Sequence, residues 1–234
     1  LNIMDTLREN CPWDKKQTNE SLRKLTIEET YELADAVLED QPEQIKNELG
    51  DLMLHIIFYA KIGSEKQDFD IADVLQHIND KLIFRHPHIY SNTQVQNADE
   101  VAENWEKIKL KEGKKKRVLS GVPKSLPALV KANRIQEKVR GVGFDWEKPE
   151  QIWDKVAEEM QEVKSEIKKK KNQEKIEAEF GDLLFSVINA ARLYNVDPEN
   201  ALERTNRKFI KRFNYLEEKT LLEGKSLFDM SLKE

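Results

Sequence analysis

Between Lys155 and Phe185 the chain carries two acidic clusters: Glu158, Glu159 and Glu162, then Glu179 and Asp182. Residues three or four apart share one face of a helix. Glu159 and Glu162 therefore point the same way, with Glu158 alongside, and Glu179 and Asp182 do the same one helix later. Like charges at that spacing destabilise an isolated helix by roughly 0.2–0.5 kcal/mol per pair. Packing two such faces together costs more unless a cation sits between them. Carboxylate oxygen is the ligand type that hard divalent ions such as Mg²⁺ prefer. These residues read as an acidic Mg²⁺ site between two antiparallel helices.

A lone Glu-Glu-x-x-Glu is most simply a solvated helix face in a chain that is 35% charged. Two features argue for more. Asp182 runs directly into Leu183, Leu184 and Phe185, at the edge of a core-facing stripe, and the whole pattern occurs twice. Glu28, Glu29 and Glu32 return 130 positions on as Glu158, Glu159 and Glu162. Glu48 and Asp51, either side of Leu49-Gly50, return 131 on as Glu179 and Asp182, either side of Phe180-Gly181. Asn79, Lys81 and Arg85 return 127 on as Asn206, Lys208 and Arg212, and Trp13-Asp14 returns as Phe144-Asp145. Order and spacing held over four separate patches imply two copies of one module. Gly50 and Gly181, each beside the Asp of its cluster, suggest that another helix comes close there, since Gly inside a helix costs about 1 kcal/mol against Ala.

The elements that must position these groups are helices. Glu, Lys, Leu, Ala and Ile dominate, and eight Gly and seven Pro are too few for a many-turned β sandwich. A short helix over Leu1–Arg8 is broken at Cys11-Pro12. The next, about Ser21 to Leu38, has Leu22, Leu25, Leu33, Ala36 and Val37 as its buried stripe. Gln41-Pro42 turns the chain into a helix from about Glu43 to Ile62, with Ile45, Leu49, Leu52, Met53, Ile56, Ile57 and Ala60 inward. Asp70 caps a helix from Ile71 to about Phe84, which leads into an Arg85-His86-Pro87-His88 loop. A further helix begins near Asp99 and contains Trp105 and Ile108. Lys111–Arg117 is basic, broken by Gly113, and reads as an exposed linker. Helices near Pro127–Val139, Pro149–Lys171, Glu174–Tyr194 and from Asp197 or Pro198 past Tyr215 complete an all-α chain. Its organisation is two tandem helical-bundle modules, 1–110 and 126–234, joined by a linker at 111–125.

A net charge of −5 opposes general nucleic-acid binding, and a single cysteine, Cys11, excludes an internal disulfide framework. No apolar run reaches the ~18–20 residues of a membrane span, and the N-terminus lacks a signal-peptide pattern. A reducing, cytoplasmic setting is expected.

Glu-Glu-x-x-Glu, a spacer, then Glu-x-x-Asp resembles the signature of the MazG-type, all-α NTP pyrophosphatases, in their two-module arrangement. Cys-Pro-Trp-Asp near the start, Arg85–Tyr90, Ser125–Leu129, Val142–Trp146 and Asn206–Phe213 carry the same likeness over nearly the whole chain. The resemblance implies a homodimeric, Mg²⁺-dependent enzyme, with Mn²⁺ as the alternative ion, that hydrolyses nucleoside triphosphates to monophosphate and pyrophosphate. It implies Glu159, Glu162, Glu179 and Asp182 as metal ligands, and Lys155, Glu158, Lys175, Lys208 and Arg212 as the nucleotide site. Cleavage between the α and β phosphates moves charge onto pyrophosphate, which metal ions and cationic side chains must neutralise. Lys155 and Lys175 each lie one turn before a proposed ligand, and Lys208 and Arg212 lie one turn apart. Glu158 is assigned to orienting water. Related chains continue further with a Trp near the nucleotide, whereas this sequence stops at Lys233-Glu234.

The first module keeps Glu28, Glu29, Glu32, Glu48, Asp51, Lys81 and Arg85, but has Leu25 and Gln44 where the second has Lys155 and Lys175. Faster turnover is therefore expected in the second. Phe144 and Trp146 could stack on a base or anchor their loop. The rival class is a nucleotide-sensing or partner-binding helical protein with little turnover. A di-iron bundle is disfavoured, because none of His55, His77, His86 or His88 has a Glu three residues before it. Nucleic-acid binding through Lys114–Arg117 is disfavoured by the shortness of the run and its lack of interleaved aromatics.

Overall fold

The computed structural model describes residues 1–91, 117–169 and 172–224, together with 93, 95, 97, 100, 101, 108, 226, 227 and 230. Of the helix expected from near Asp99, residues 100, 101 and 108 are described and are helical, whereas Asp99, Trp105 and the basic run 111–116 lie outside the described residues. Contacts divide the chain into two compact units, Leu1–Gln96 and Asn97–Glu234. Every regular element among the described residues is helical. None of those helices is long and apolar enough to cross a membrane.

The first unit holds α1 (Asn2–Asn10), α2 (Asn19–Leu38), α3 (Pro42–Glu65), α4 (Ile71–Arg85) and the short α5 (Pro87–Tyr90). Local chemistry sets their starts. Thr18 and Ser21 form a reciprocal capping box, with Ser21 N–H donating to Thr18 Oγ1 at 3.2 Å and Thr18 N–H to Ser21 Oγ at 2.9 Å. Asp70 and Asp73 do the same for α4, both at 3.0 Å. Pro42 opens α3 where its missing N–H costs nothing.

Helices α2 and α3 pack against each other in antiparallel fashion: Leu22 clusters with Phe58 and Ile62, and Thr26 reaches His55 and Tyr59. Met4 of α1 closes this core, helped by Leu25 and Ile57. A polar knot sits within it. Thr26 Oγ1 lies 3.0 Å from Leu22 O, 2.6 Å from His55 Nδ1 and 2.9 Å from the Tyr59 hydroxyl. One hydroxyl proton cannot serve three partners. With that proton on the Leu22 carbonyl, His55 Nδ1 and Tyr59 both donate to Thr26.

The second unit repeats the plan with α6 (Ala128–Arg140), α7 (Ile152–Lys169), α8 (Gln173–Leu193) and α9 (Pro198–Leu222). Ile152, Val156 and Ala190 form its core with Leu183 and Leu193. Asn172 caps α8 by accepting from Glu174 N–H at 2.9 Å, and Asp197 caps α9 by accepting from Asn200 N–H at 2.8 Å. The loop before α7 is pinned by Arg192, whose guanidinium meets both oxygens of Asp145 at 3.0 and 2.5 Å. Burial would raise the Asp145 carboxyl, but the Arg192 hydrogen bond, the Trp146 N–H and the charges of Arg192 and Arg140 outweigh it and hold it low.

Several expectations are corrected. Pro87–Tyr90 is a helical turn rather than a loop, started by Pro87 at its first position. Helix α3 does not end at Ile62 but runs through Gly63 to Glu65. A Cβ on Gly63 would meet the Phe69 ring at 2.8 Å and the Phe69 carbonyl at 2.9 Å, so this glycine serves close approach inside a helix. Gly50 and Gly181 do not: a Cβ at either meets nothing within 4 Å. The stripes are also narrower than their periodicity. Leu22 and Ala36 are buried, but Val37 is 56% exposed, and Leu49, Met53, Ile56, Leu184 and Phe185 are exposed as well. Phe144, at 78% exposure, is no loop anchor; Asp145 and Arg192 do that work.

Candidate functional site

Antiparallel packing of α7 on α8 brings Glu159, Glu162 and Glu179 together, with one carboxylate oxygen from each within 4.8 Å of the others. Glu159 is only 6% exposed and its Oε2 has no hydrogen-bond partner. A buried carboxylate oxygen without a partner is costly, and a hard cation is the ligand such oxygens suit. Burial, then the charges of Glu159, Glu179 and Glu158, push the Glu162 carboxyl up, with Lys155 opposing. The triplet is therefore short of positive charge and fits a divalent ion.

The first unit forms the corresponding triplet from Glu29, Glu48 and Asp51. Burial raises the Glu29 carboxyl, as do Glu32, Asp51, Glu48 and Glu28 in that order. Glu48 is raised by burial, Glu32 and Asp51. The two triplets share the positions of Glu29/Glu159 and Glu48/Glu179. They differ in the third member, Asp51 in one and Glu162 in the other. Asp182 is exposed and outside the second triplet, and Glu32 is outside the first.

Lys155 is not poised outward. Its ammonium lies 2.8 Å from Glu159 Oε1 and 3.1 Å from Glu158 Oε1. The hydrogen bonds to Glu159 and then Glu158 hold it in its charged form. Glu158 itself is exposed beside the triplet. Lys175 is exposed on α8, one turn before Glu179, with no ion pair among the described residues. Lys208 and Arg212 line a recess of about 530 Å³ on α9 with Arg207, Lys211 and Tyr215. Among the described residues neither Lys208 nor Arg212 is ion-paired, and no ion pair joins either of them to the triplet. In the first unit, Lys81 and Arg85 sit half-buried on α4, and Glu28 is exposed.

Sequence reasoning missed two features. The Thr26–His55–Tyr59 knot is one; its second-unit counterparts, Val156, Ser186 and Ala190, cannot form it. The other is a recess at the α7–α8 turn lined by Glu166, Lys169, Asn172 and Lys175. The 130-residue offset that exposed the repeat aligns Lys169 with Glu39, a charge reversal that would have drawn attention to it.

A family model described as the MazG nucleotide pyrophosphohydrolase domain matches the chain twice, over residues 17–90 and 147–216. A Thermotoga maritima protein named nucleoside triphosphate pyrophosphohydrolase/pyrophosphatase MazG is 43% identical over 237 residues, spanning all of this chain and 90% of that one. The Escherichia coli K12 nucleoside triphosphate pyrophosphohydrolase is 40% identical over 240 residues, spanning all of this chain and 91% of that protein. A Mycobacterium tuberculosis protein of the same name is 36% identical over 144 residues, 61% of this chain and 44% of that one.

Proposed function

Because the chain belongs to the MazG family of nucleotide pyrophosphohydrolases, we propose that it hydrolyses nucleoside triphosphates to monophosphate and pyrophosphate, mainly in its second module and with Mg²⁺. The observation that carries this reading is the buried, unpartnered Glu159 Oε2 within a converging carboxylate triplet. Glu159, Glu162 and Glu179 would hold the ion, and Asp182, one turn after Glu179 on α8, would be a fourth ligand. When bound there, Mg²⁺ supplies Lewis-acid polarisation of phosphoryl oxygens, and Mn²⁺ can stand in for it.

The remaining work falls to the chain. Lys155, paired with Glu159 and Glu158 here, would turn its ammonium to the phosphates if Glu159 held the ion. Lys175 lies one turn from Glu179 and adds a second cation. Lys208 and Arg212 offer a third and fourth, uncommitted among the described residues. Glu158 orients a water in line with the α-phosphorus and accepts its proton. The water oxygen bonds to that phosphorus, the bond to the oxygen shared with the β-phosphate breaks, and its electron pair leaves with pyrophosphate.

The first module keeps the carboxylates, Lys81 and Arg85, but lacks cations at Leu25 and Gln44, and on this reading it turns over slowly or senses nucleotide. A homodimer is supported by the apolar side chains that the single chain leaves exposed, Leu49 and Met53 on α3, Leu184 on α8 and the stacked Phe209–Phe213 pair on α9. A cytoplasmic setting accords with the unpaired Cys11.

The test is to incubate the full chain with a panel of NTPs and dNTPs and Mg²⁺ and to score pyrophosphate against orthophosphate. Monophosphate and pyrophosphate in equal amounts, lost with chelator and restored by Mg²⁺, support the reading. Orthophosphate as the product, or no turnover, contradicts it.

A further inference from the structure

The recess at the α7–α8 turn has a volume of about 470 Å³ and is lined by Glu166, Lys169, Asn172 and Lys175. Lys169 Nζ sits 2.5 Å from Glu166 Oε1, which fixes the ammonium at the rim. The Asn172 carbonyl oxygen is used in capping Glu174, so its amide N–H groups remain as donors. Lys175 has no ion pair among the described residues.

The helix register places this recess beside the carboxylate triplet. Lys175 is one turn, about 6 Å, before Glu179 on the same face of α8. Lys169 follows Glu162 by two turns on α7, about 10 Å along the axis. Lys169 also feels the charge of Glu179, after that of Glu166. Lys155 borders the triplet on the opposite side, one turn before Glu159. A polyphosphate gripped at the triplet would therefore have cations at both ends, with two lysines and an amide at the turn.

The first module supplies an internal comparison. At the repeat offset, Lys169 is replaced by Glu39, Glu166 by Ala36 and Lys175 by Gln44. The carboxylates survive in that copy while the whole cationic rim is lost. The rim thus varies independently of metal ligation, which fits a role in reading substrate rather than in holding the ion.

We propose that the Glu166–Lys169–Asn172–Lys175 recess receives the terminal phosphate of a nucleoside triphosphate and retains pyrophosphate after cleavage, so that the second module selects triphosphates over diphosphates. The inference rests on the reading of the second module as the NTP-hydrolysing one. It fixes a direction as well: the nucleoside end lies toward Lys155 and the γ end toward the turn. Glu166 acts as a positioning residue, since it reaches the phosphate only through Lys169.

The test uses the full chain, wild type, Lys169→Ala and Lys169→Arg, matched for helicity and melting temperature. Two quantities are read: inorganic pyrophosphate affinity by calorimetry with Mg²⁺ present, and the ratio of kcat/KM for NTP over NDP. Lys169→Ala is expected to weaken pyrophosphate binding and lower that ratio by about tenfold each, the scale of one lost charge-assisted hydrogen bond. Lys169→Arg should recover most of both, and monophosphate inhibition should not move. If wild type and Lys169→Ala agree within about twofold in both quantities while NTP turnover proceeds, the recess is not the phosphate site and the proposed activity still stands. If NTP is not hydrolysed at all yet Lys169→Ala loses pyrophosphate affinity, the activity falls and the recess survives as a phosphate site.

Discussion

The Lys155 ammonium and the Glu159 carboxylate form a 2.8 Å ion pair one helical turn apart, and the carboxylate is buried while the ammonium is half-exposed. Only one oxygen of Glu159 is served by this pair. The other, Oε2, is buried and without a partner. Lys155 thus acts as a resident counter-ion on one oxygen of Glu159, and on the proposed reading a divalent ion would compete with it for that carboxylate.

Removing that competitor should separate metal affinity from catalysis. In Lys155→Ala the triplet loses the cation paired with Glu159, so the metal-free protein should melt lower and the rise in melting temperature on adding Mn²⁺ should exceed that of wild type. NTP turnover should fall by at least about tenfold, because the same ammonium later faces the phosphates. Thermal melts with and without Mn²⁺ check the first part. An unchanged metal response would mean that Lys155 and the ion do not share Glu159.

Protons compete with the ion too. Glu162, Glu29 and Glu48 hold their protons to higher pH than an ordinary glutamate, each chiefly through burial and then through neighbouring carboxylates. A protonated carboxyl does not ligate, so Mn²⁺ affinity should rise with pH and level off once these groups have ionised. The pH at which it levels off should lie above the ordinary glutamate value of 4.5. Calorimetric Mn²⁺ titrations from the ordinary glutamate value of 4.5 up to about pH 8 measure this directly. An affinity already level at 4.5 would contradict it.

The first module should be acid-labile through His55. Burial lowers its pKa below the ordinary 6.5, with Asp51 opposing. Above 6.5 the imidazole is neutral in both folded and unfolded chains and contributes no pH dependence. As pH falls below 6.5 the unfolded chain takes the proton first, and the first module loses stability until the lower folded value is passed. His55→Gln should flatten this limb, whereas Ser186→Ala, at the matching position of the second unit, should leave it alone. Hydrogen exchange resolved by module separates the two units, and a limb that persists in His55→Gln would assign it to another group.

Much of the fold was legible because helices advertise themselves through period and caps. Asp70, Pro42 and Asp197 marked starts that the structure keeps. Periodicity names a face but not what covers it, which is why Val37, Leu49, Met53 and Leu184 were assigned to the core yet lie exposed. The carboxylates were legible for the same reason: two i,i+3 acidic pairs on adjacent helices can converge only across the interface. Spacing could not say which three of four would meet, since that depends on the relative rotation of the helices. Nor could it distinguish a Lys155 reaching for phosphate from one folded back on Glu159, because both use the same turn. The Thr26–His55–Tyr59 knot joins residues about 30 positions apart and becomes visible only when α2 lies on α3.

The most direct test compares NTP turnover in two full-length variants, Glu159→Gln and Glu29→Gln, which change the same position of each module from carboxylate to amide. The account predicts that Glu159→Gln lowers kcat by about a hundredfold or more, the loss of an electrostatic group acting in the transition state, and that Glu29→Gln stays within a few-fold of wild type. Equal losses in the two variants, or full activity in Glu159→Gln, would contradict it.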